Sequence, residues 1–337
     1  MTKALHFVDD HQPGITRRRI GKAWGYFDPQ GQRITDRDEI DRLNAIALPP
    51  AYTDAWFCMK PNGHLLATGI DAKGRKQYRY HPDFRAQRDC AKFDGLFRFG
   101  CMLPLVRKRV EQDLAQRGLT RERAIASVLR LLDSTAIRIG NEAYAKTNKS
   151  FGATTLRMRH AALTGQTLKL RFKAKSGKQV ERRLTDRSLA RFVRAMQDLP
   201  GQHLFQFLNA DGEPCPVGSG DVNDYLKVTM GEDFTAKHFR TWAATVTGFQ
   251  LLAQSKEAVP MKALLEHVSA HLGNTPTIAR KSYIHPAILA LAEDAKAQSA
   301  FREALRLPRG TRWLSRYERG VIEYLGNGPS TAELRAA

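Results

Sequence analysis

Over residues 1 to about 90 the apolar positions fall in short runs rich in aromatic and β-prone residues. These runs are Trp24–Phe27, Ala55–Met59, Leu65–Gly69 and Gln77–Tyr80. Turn-forming pairs and triplets separate them: Asp28-Pro29, Pro61-Asn62-Gly63 and Lys73-Gly74. Such alternation bounded by Gly, Pro and Asn predicts strands. One stretch departs from it, because Ile40, Leu43 and Ala47 recur at helical spacing within Asp36–Ala47. The first 90 residues therefore read as a small, mostly β domain.

After Cys90 the spacing changes. Leu103, Val106, Val110 and Leu114 repeat every three or four residues, with Pro104 where a helix can begin and Gly118 where it stops. Ile125, Val128, Leu129 and Leu132 form the stripe of a second helix. A β interlude follows. Leu168, Leu170 and Phe172 alternate strictly, Ser176-Gly177 is a turn, and Gln179–Leu184 returns as the second strand of a hairpin. Thr154–Arg159 is expected to supply a third strand. From Asp186 onward the pattern is helical, broken at Gly201, Pro214–Gly220 and Gly273–Pro276. The predicted class is α+β: a mostly β domain over 1–90, then a mainly α-helical domain over 91–337 containing a three-stranded meander. A length of 337 residues agrees with two domains.

Charge narrows the partner. There are 54 Lys+Arg against 34 Asp+Glu, a net charge of +20, which points to an extended polyanion. No apolar run approaches membrane-spanning length, and no basic amphipathic helix or lipidation motif stands out. Neither a membrane partner nor a secretory leader is expected; the expected location is cytoplasmic and nucleoid-associated. Between Arg157 and Arg194 twelve Lys/Arg stand against Glu181 and Asp186 alone, a one-signed stretch centred on the hairpin. Cys58, Cys90, Cys101 and Cys215 form no C-x-x-C pair. They are expected to be buried small hydrophobes, with no zinc site and no disulfide framework.

Candidate chemistry lies at four places. Arg138 follows a helical pattern between apolar neighbours, and taken alone such an arginine is more often a salt-bridged surface residue. Lys173, Lys175 and Lys178 flank the hairpin tip, where a soluble turn is the commoner explanation. Lys237 and Arg240 are three residues apart on one helix and share a face, so they repel unless an anion lies between them. In Gly273-Asn274-Thr275-Pro276, Thr-Pro signals a helix start, placing Asn274 just before a short helix that carries Tyr283. A lone helical tyrosine is usually half core and half surface.

Taken together, the order Arg, Lys, Lys-x-x-Arg, Gly-Asn-Thr-Pro, Tyr strongly resembles the type IB DNA topoisomerases, in particular the small poxvirus-like branch. The resemblance runs over most of the chain, including Pro61-Asn-Gly-His-Leu65 and Gly69-Ile-Asp-Ala-Lys-Gly-Arg-Lys-Gln-Tyr-Arg-Tyr80. It implies that Tyr283 is the nucleophile, linked transiently to a 3′ phosphate. It implies that Arg138 and Arg240 are the catalytic arginines and Lys175 a general acid. Lys237 and Tyr144 match accessory positions near the site. Gln77, Tyr78 and Tyr80 match a segment that touches the major groove, and the hairpin lysines Lys173 and Lys178 are expected to contact DNA. The implied activity is relaxation of supercoiled duplex DNA by single-strand cleavage and religation, by a monomeric clamp around the duplex.

This chemistry is compatible with the residue types. Arginine forks clamp phosphoryl oxygens, and neighbouring guanidinium groups favour a phenolate. The covalent link conserves the phosphodiester, so no ATP is expected; no Walker-type loop and no clustered carboxylates for magnesium are present, and neither cofactor nor metal is expected. One position departs from the family pattern, which has histidine where Asn274 stands. Asparagine cannot titrate, but its amide can donate to a phosphate oxygen. Two rivals remain: a tyrosine recombinase, whose second arginine usually follows histidine by three where this chain has Lys237, and a DNA-binding clamp that has lost its chemistry.

Overall fold

The computed structural model describes residues 4–21, 23–197, 199, 201–329 and 331–336. The chain divides into two compact units, Met1–Lys92 and Phe93–Ala337.

The first unit is an antiparallel sheet with one helix. Its strands are β1 (Ile15–Ile20) and β2 (Ala23–Phe27), then, after α1 (Arg37–Ala45), β3 (Thr53–Phe57), β4 (Leu65–Ile70) and β5 (Lys76–Tyr80). Their order is β2-β1-β3-β4-β5. Asp36 caps α1 by accepting from the Asp38 and Glu39 backbone N–H groups, which stabilises a helix by about 1 kcal/mol. The core is Ile15, Tyr26, Leu43, Leu48, Ala55, Phe57 and Ala67, with Tyr26 edge-on to Phe57 at 5.3 Å.

The interior strand β1 escaped the hydrophobic pattern because it reads Ile-Thr-Arg-Arg-Arg-Ile. Tertiary contacts satisfy its charge. The Arg17 guanidinium donates to the Leu48 and Pro49 carbonyls at 2.8 Å each and lies 4.5 Å from the Trp24 ring centroid.

Helix α2 (Pro82–Ala115) begins in the first unit and runs into the second. The expected start at Pro104 is therefore corrected, since Pro104 lies inside this helix. A proline there removes one helical hydrogen bond. The flanking Phe99, Leu103 and Val106 are fully buried, and their packing holds the helix through it.

The second unit continues with α3 (Arg121–Thr135), α4 (Glu142–Asn148) and a meander of β6 (Ala161–Thr164), β7 (Thr167–Lys173) and β8 (Gln179–Thr185). After α5 (Arg187–Gln197), a two-stranded ribbon, β9 (Gln206–Leu208) with β10 (Pro214–Pro216), leads to α6 (Ser219–Met230) and α7 (Ala236–Gln254). Then come α8 (Met261–Leu272), α9 (Pro276–Ser282), α10 (Pro286–Glu293), α11 (Ala295–Ala304), α12 (Arg316–Gly326) and α13 (Thr331–Ala336). Helix α3 contacts α5, α6, α7, β8 and β9, so it is buried around most of its circumference and forms the centre of this unit's core.

The α+β class, a strand-rich first part and a mainly helical second part with its meander, is what the sequence predicts. Two details differ. Thr154–Arg159 forms 3₁₀ turns at Ala153–Thr155 and Met158–His160, and the third strand lies just beyond, at Ala161–Thr164. Here Thr154 Oγ1 donates to the Ile139 carbonyl, fifteen residues earlier, and the Gly152 N–H donates locally to Thr155 Oγ1, bonds that divert the backbone from a strand ladder. The cysteines also differ from expectation, for only Cys58 is buried. Cys90 and Cys215 are partly exposed, Cys101 is exposed, and all four are free thiols. No helix among the described residues is long and apolar enough to cross a membrane.

Candidate active site

Four segments of the second unit converge on Tyr283, and each is shaped by a local sequence feature. The first is the α3–α4 loop. Ala136 closes α3 in a left-handed conformation, and Arg138 follows two residues later. The loop lies against Gly152–Thr155: the Ala153 N–H donates to the Arg138 carbonyl at 2.8 Å and the Thr154 N–H to that of Ile139 at 2.7 Å. Two glycines make this approach possible. A Cβ on Gly152 would fall 2.5 Å from the Arg138 carbonyl oxygen, and Gly140 has φ +100°. The Arg138 side chain carries no hydrogen bond or ion pair among the described residues, so its fork is open to an anion.

The second segment is α7. Phe239 and Trp242 bury one side of it, and Arg240 is only 3% exposed. Its two terminal nitrogens donate to the Ala136 carbonyl and, at 3.2 Å, to the Leu272 carbonyl. Its Nε has no partner. Burial depresses the Arg240 pKa, the Tyr283 charge opposes that fall, and Arg138 adds to it. Lys237, one turn earlier, is exposed.

The third segment is the α8–α9 turn. Gly273 ends α8 with φ +66°, and Thr275 caps α9 by accepting from the Ile278 N–H at 3.4 Å. Between them Asn274 is 8% exposed, and neither its side-chain oxygen nor its nitrogen has a partner. A buried, unsatisfied amide costs about 1–3 kcal/mol, a penalty that an incoming acceptor would remove.

The fourth segment carries the tyrosine. Tyr283 is the C-cap of α9, its N–H bonded to the Ala279 carbonyl. The next residue, Ile284, is fully buried, and the His285 N–H donates to Thr245 Oγ1 at 3.2 Å. The ring lies 4.9 Å from the Arg240 guanidinium carbon. Burial by itself would raise the phenol's pKa. The Arg240 charge and hydrogen bond, then Arg138 and Lys237, outweigh it, so the net pKa is below the usual 10. Three cations thus favour the anionic form of the Tyr283 oxygen.

Not every expected residue joins this cluster. Lys175 is exposed at the β7–β8 connection, where Ser176 and Gly177 both take positive φ, and among the described residues it has no hydrogen bond or ion pair. Its neighbour Lys178 reaches inward instead, with Nζ 3.4 Å from the Asn274 carbonyl. Lys173 is exposed on β7. Tyr144 is exposed on α4, its N–H capped by Asn141. Gln77, Tyr78 and Tyr80 lie on β5 in the first unit. The rings of Tyr78 and Tyr80 are nearly parallel, 6.0 Å apart, while Gln77, on the opposite strand face, donates to Asp71 at 3.0 Å.

Two further clusters hold titratable groups. In the first unit, ligand-type atoms of Asp9, Asp10 and His11 lie within 4.8 Å of one another. Asp10 is already paired there with Lys76 at 2.6 Å. In the second unit, a cavity of about 840 Å³ is lined by Asn141, Glu142, Arg157 and His203, among others. Glu142 bonds Arg157 at 2.5 Å and faces His203.

Comparison with known proteins bears on this arrangement. The family model for the eukaryotic DNA topoisomerase I catalytic core matches residues 81–304, which contain all four segments. The chain belongs to the type IB DNA topoisomerases. A model of the bacterial DNA topoisomerase IB N-terminal domain matches residues 23–71. DNA topoisomerase 1B of Acanthamoeba polyphaga mimivirus is 30% identical over 287 residues, covering 80% of this chain and 85% of the relative. DNA topoisomerase 1 of Mycosarcoma maydis is 26% identical over 204 residues, 54% of this chain but only 20% of that longer protein. Among solved structures, the XerH site-specific recombinase bound to palindromic difH substrate, in a post-cleavage complex, aligns at a TM-score of 0.36. It shares 17% identity and covers 54% of this chain and 47% of that one. As a type I, subtype B topoisomerase the protein is an isomerase that acts on DNA.

Sequence reasoning missed several residues that shape this candidate site: Gly140 and Gly152, Thr245, and Arg182 on β8. Only the glycines leave a signal in the chain, as glycines flanking an arginine loop.

Proposed function

We propose that this topoisomerase relaxes supercoiled duplex DNA by forming and resealing a 3′-phosphotyrosyl bond at Tyr283. The observation that carries the reading is the packing of Tyr283 against Arg240, with Arg138 and Lys237 adding to a field that favours the phenolate. In the forward step Tyr283 Oη loses its proton and bonds to phosphorus, while the bond to the 5′ oxygen breaks. The transition state spreads charge over the non-bridging oxygens. Arg138, the remaining donors of Arg240 and the Asn274 amide supply hydrogen bonds to them. The leaving oxygen takes a proton, which the hairpin delivers from Lys175 once the tip closes on DNA. Religation runs the same step in reverse, and because one phosphodiester replaces another it needs no ATP.

Around the scissile phosphate, Lys173 and Lys178 on the hairpin contact the backbone, and Tyr144 and Lys237 support the site. In the first unit the segment of Gln77, Tyr78 and Tyr80 lies in the major groove. A single chain supplies every proposed group, so the active form is a monomer, working on the nucleoid. The net charge of +20 favours a duplex of many phosphates, and affinity should fall steeply with salt.

The test is relaxation of supercoiled plasmid with a chelator present and ATP absent, comparing wild type with Tyr283→Phe. Wild type should relax both supercoil signs, leave a denaturant-stable covalent adduct, and lose both in the variant. Equal activity of the two proteins, or recombinant products without relaxation, would overturn the proposal.

A further inference from the structure

Strand β8 presents Val180, Arg182 and Leu184 on its inner face, Val180 buried and the other two half-buried. An arginine between two aliphatic residues on that face needs acceptors, since a desolvated guanidinium is costly unless hydrogen-bonded. Among the described residues no carboxylate pairs with it. Its Nη2 donates to the His271 carbonyl at 2.8 Å, Nε approaches the Thr135 carbonyl at 3.5 Å, and Nη1 donates to Glu181 O at 2.9 Å.

Thr135 is the last residue of α3, and His271 lies one residue before the end of α8. Arg240 donates to Ala136 and Leu272, the residues immediately following those two. Two arginines from different elements thus bridge the same pair of helix C-termini through consecutive carbonyls. Both helices direct the negative ends of their dipoles at these cations. Arg138 lies three residues beyond Thr135, and Asn274 three beyond His271.

We infer that Arg182 is a positioning residue for DNA cleavage, holding the ends of α3 and α8 at the spacing that presents Arg138 and Asn274 to one phosphate. This rests on the proposed phosphotyrosyl chemistry. Arg240 has a double duty, since it bonds these carbonyls and must also serve the phosphate. Arg182 keeps the helix ends joined when the Arg240 donors turn to substrate. It touches no reacting atom itself.

The test uses full-length protein and a duplex oligonucleotide, measuring the single-turnover rate of covalent adduct formation and, separately, DNA affinity across a salt series. Arg182→Met should slow adduct formation on the order of 10²-fold, the scale of an ångström-level misplacement. Affinity and its salt slope should stay as in wild type, and Arg182→Lys should recover most of the rate. In a double-mutant cycle with Asn274→Ala, the two losses should be strongly non-additive. Wild-type rates in Arg182→Met overturn the inference. So does a salt slope shallower by about 0.9, the mark of one lost phosphate contact, with adduct formation at saturating DNA unchanged. If Arg182→Met does not fold, Arg182→Gln and the cycle of it with Asn274→Ala decide, and additive losses there overturn the inference too. Absence of adduct in the wild type would instead sink the underlying chemistry.

Discussion

The guanidinium carbon of Arg240 lies 4.9 Å from the centre of the Tyr283 ring, and this one contact joins the helix of Lys237 and Arg240 to the segment of the proposed nucleophile. It also does most to offset burial of the phenol, ahead of Arg138 and Lys237. With its pKa held below 10, Tyr283 is anionic at lower pH than a free tyrosine. The cleavage rate should therefore rise with pH and level off below pH 10. Removing one of the responsible cations, as in Arg138→Met, should move that midpoint upward and slow cleavage by on the order of 10²–10³-fold at neutral pH, the scale for one lost transition-state donor. A pH–rate profile of adduct formation in both proteins checks this; an unmoved midpoint would disconnect Arg138 from the tyrosine.

Asn274 should trade stability for chemistry. Its buried amide has no partner, so Asn274→Leu, of similar volume, should stabilise the fold by roughly 1 kcal/mol by removing unsatisfied polar atoms. The same change should suppress adduct formation. Asn274→Ala should slow it, and Asn274→His should largely preserve it, because a donor is kept. Thermal denaturation beside adduct assays would reveal the opposed effects, and a harmless alanine would end the proposed phosphate contact.

Gly152 is a packing requirement with a kinetic consequence. Its φ is ordinary, but a Cβ there would fall 2.5 Å from the Arg138 carbonyl oxygen and 2.6 Å from the Gly140 nitrogen. Gly152→Ala should push the Arg138 loop outward and slow cleavage on the order of 10²-fold. Retained DNA affinity with a lowered single-turnover rate is the expected pattern.

Away from the site, Arg107 bonds both Asp133 and Glu318, at 2.8 and 2.6 Å, tying α2 to α3 and α12. Glu318 also accepts from the Trp242 indole on α7 at 3.1 Å. Removing the arginine leaves two largely buried carboxylates without their shared cation, so Arg107→Ala should cost about 3–5 kcal/mol in denaturant unfolding. Burial would raise the Glu318 pKa, but the Arg107 bond and charge prevail and hold it below 4.5. A depressed carboxyl stabilises the fold above its unfolded pKa, and that stability is lost as pH falls through the folded value. Unfolding followed from pH 6 downward should show wild type losing stability below about pH 4.5, with a shallower fall in Glu318→Gln.

Much of this was legible in the chain because it depends on local rules. Strands β2, β4 and β5 announce themselves by alternation between turn residues, and the hairpin by Leu168, Leu170, Phe172 and Ser176-Gly177. Strand β1 was not legible, since Arg17 is matched to carbonyls some thirty residues away, and Arg17 and Arg18 to rings on the neighbouring strand. Thr154–Arg159 looked like a strand because its side-chain bonds to Ile139 and Gly152 cannot be seen from propensity.

The sequence by itself determined the α+β class, the polyanion partner, and the order of Arg138, Lys175, Arg240, Asn274 and Tyr283 from which family and chemistry are read. These follow from periodicity, charge and motif order, which are properties of the chain taken one stretch at a time. Only the tertiary structure decided which cations reach the tyrosine, that Lys178 and not Lys175 lies beside Asn274, and that Arg182 and Arg240 clasp the same two helix ends. Those facts depend on distances between residues far apart in the chain. Such distances are set when the core of the second unit packs and unpaired carbonyls at the ends of α3 and α8 take the donors brought to them.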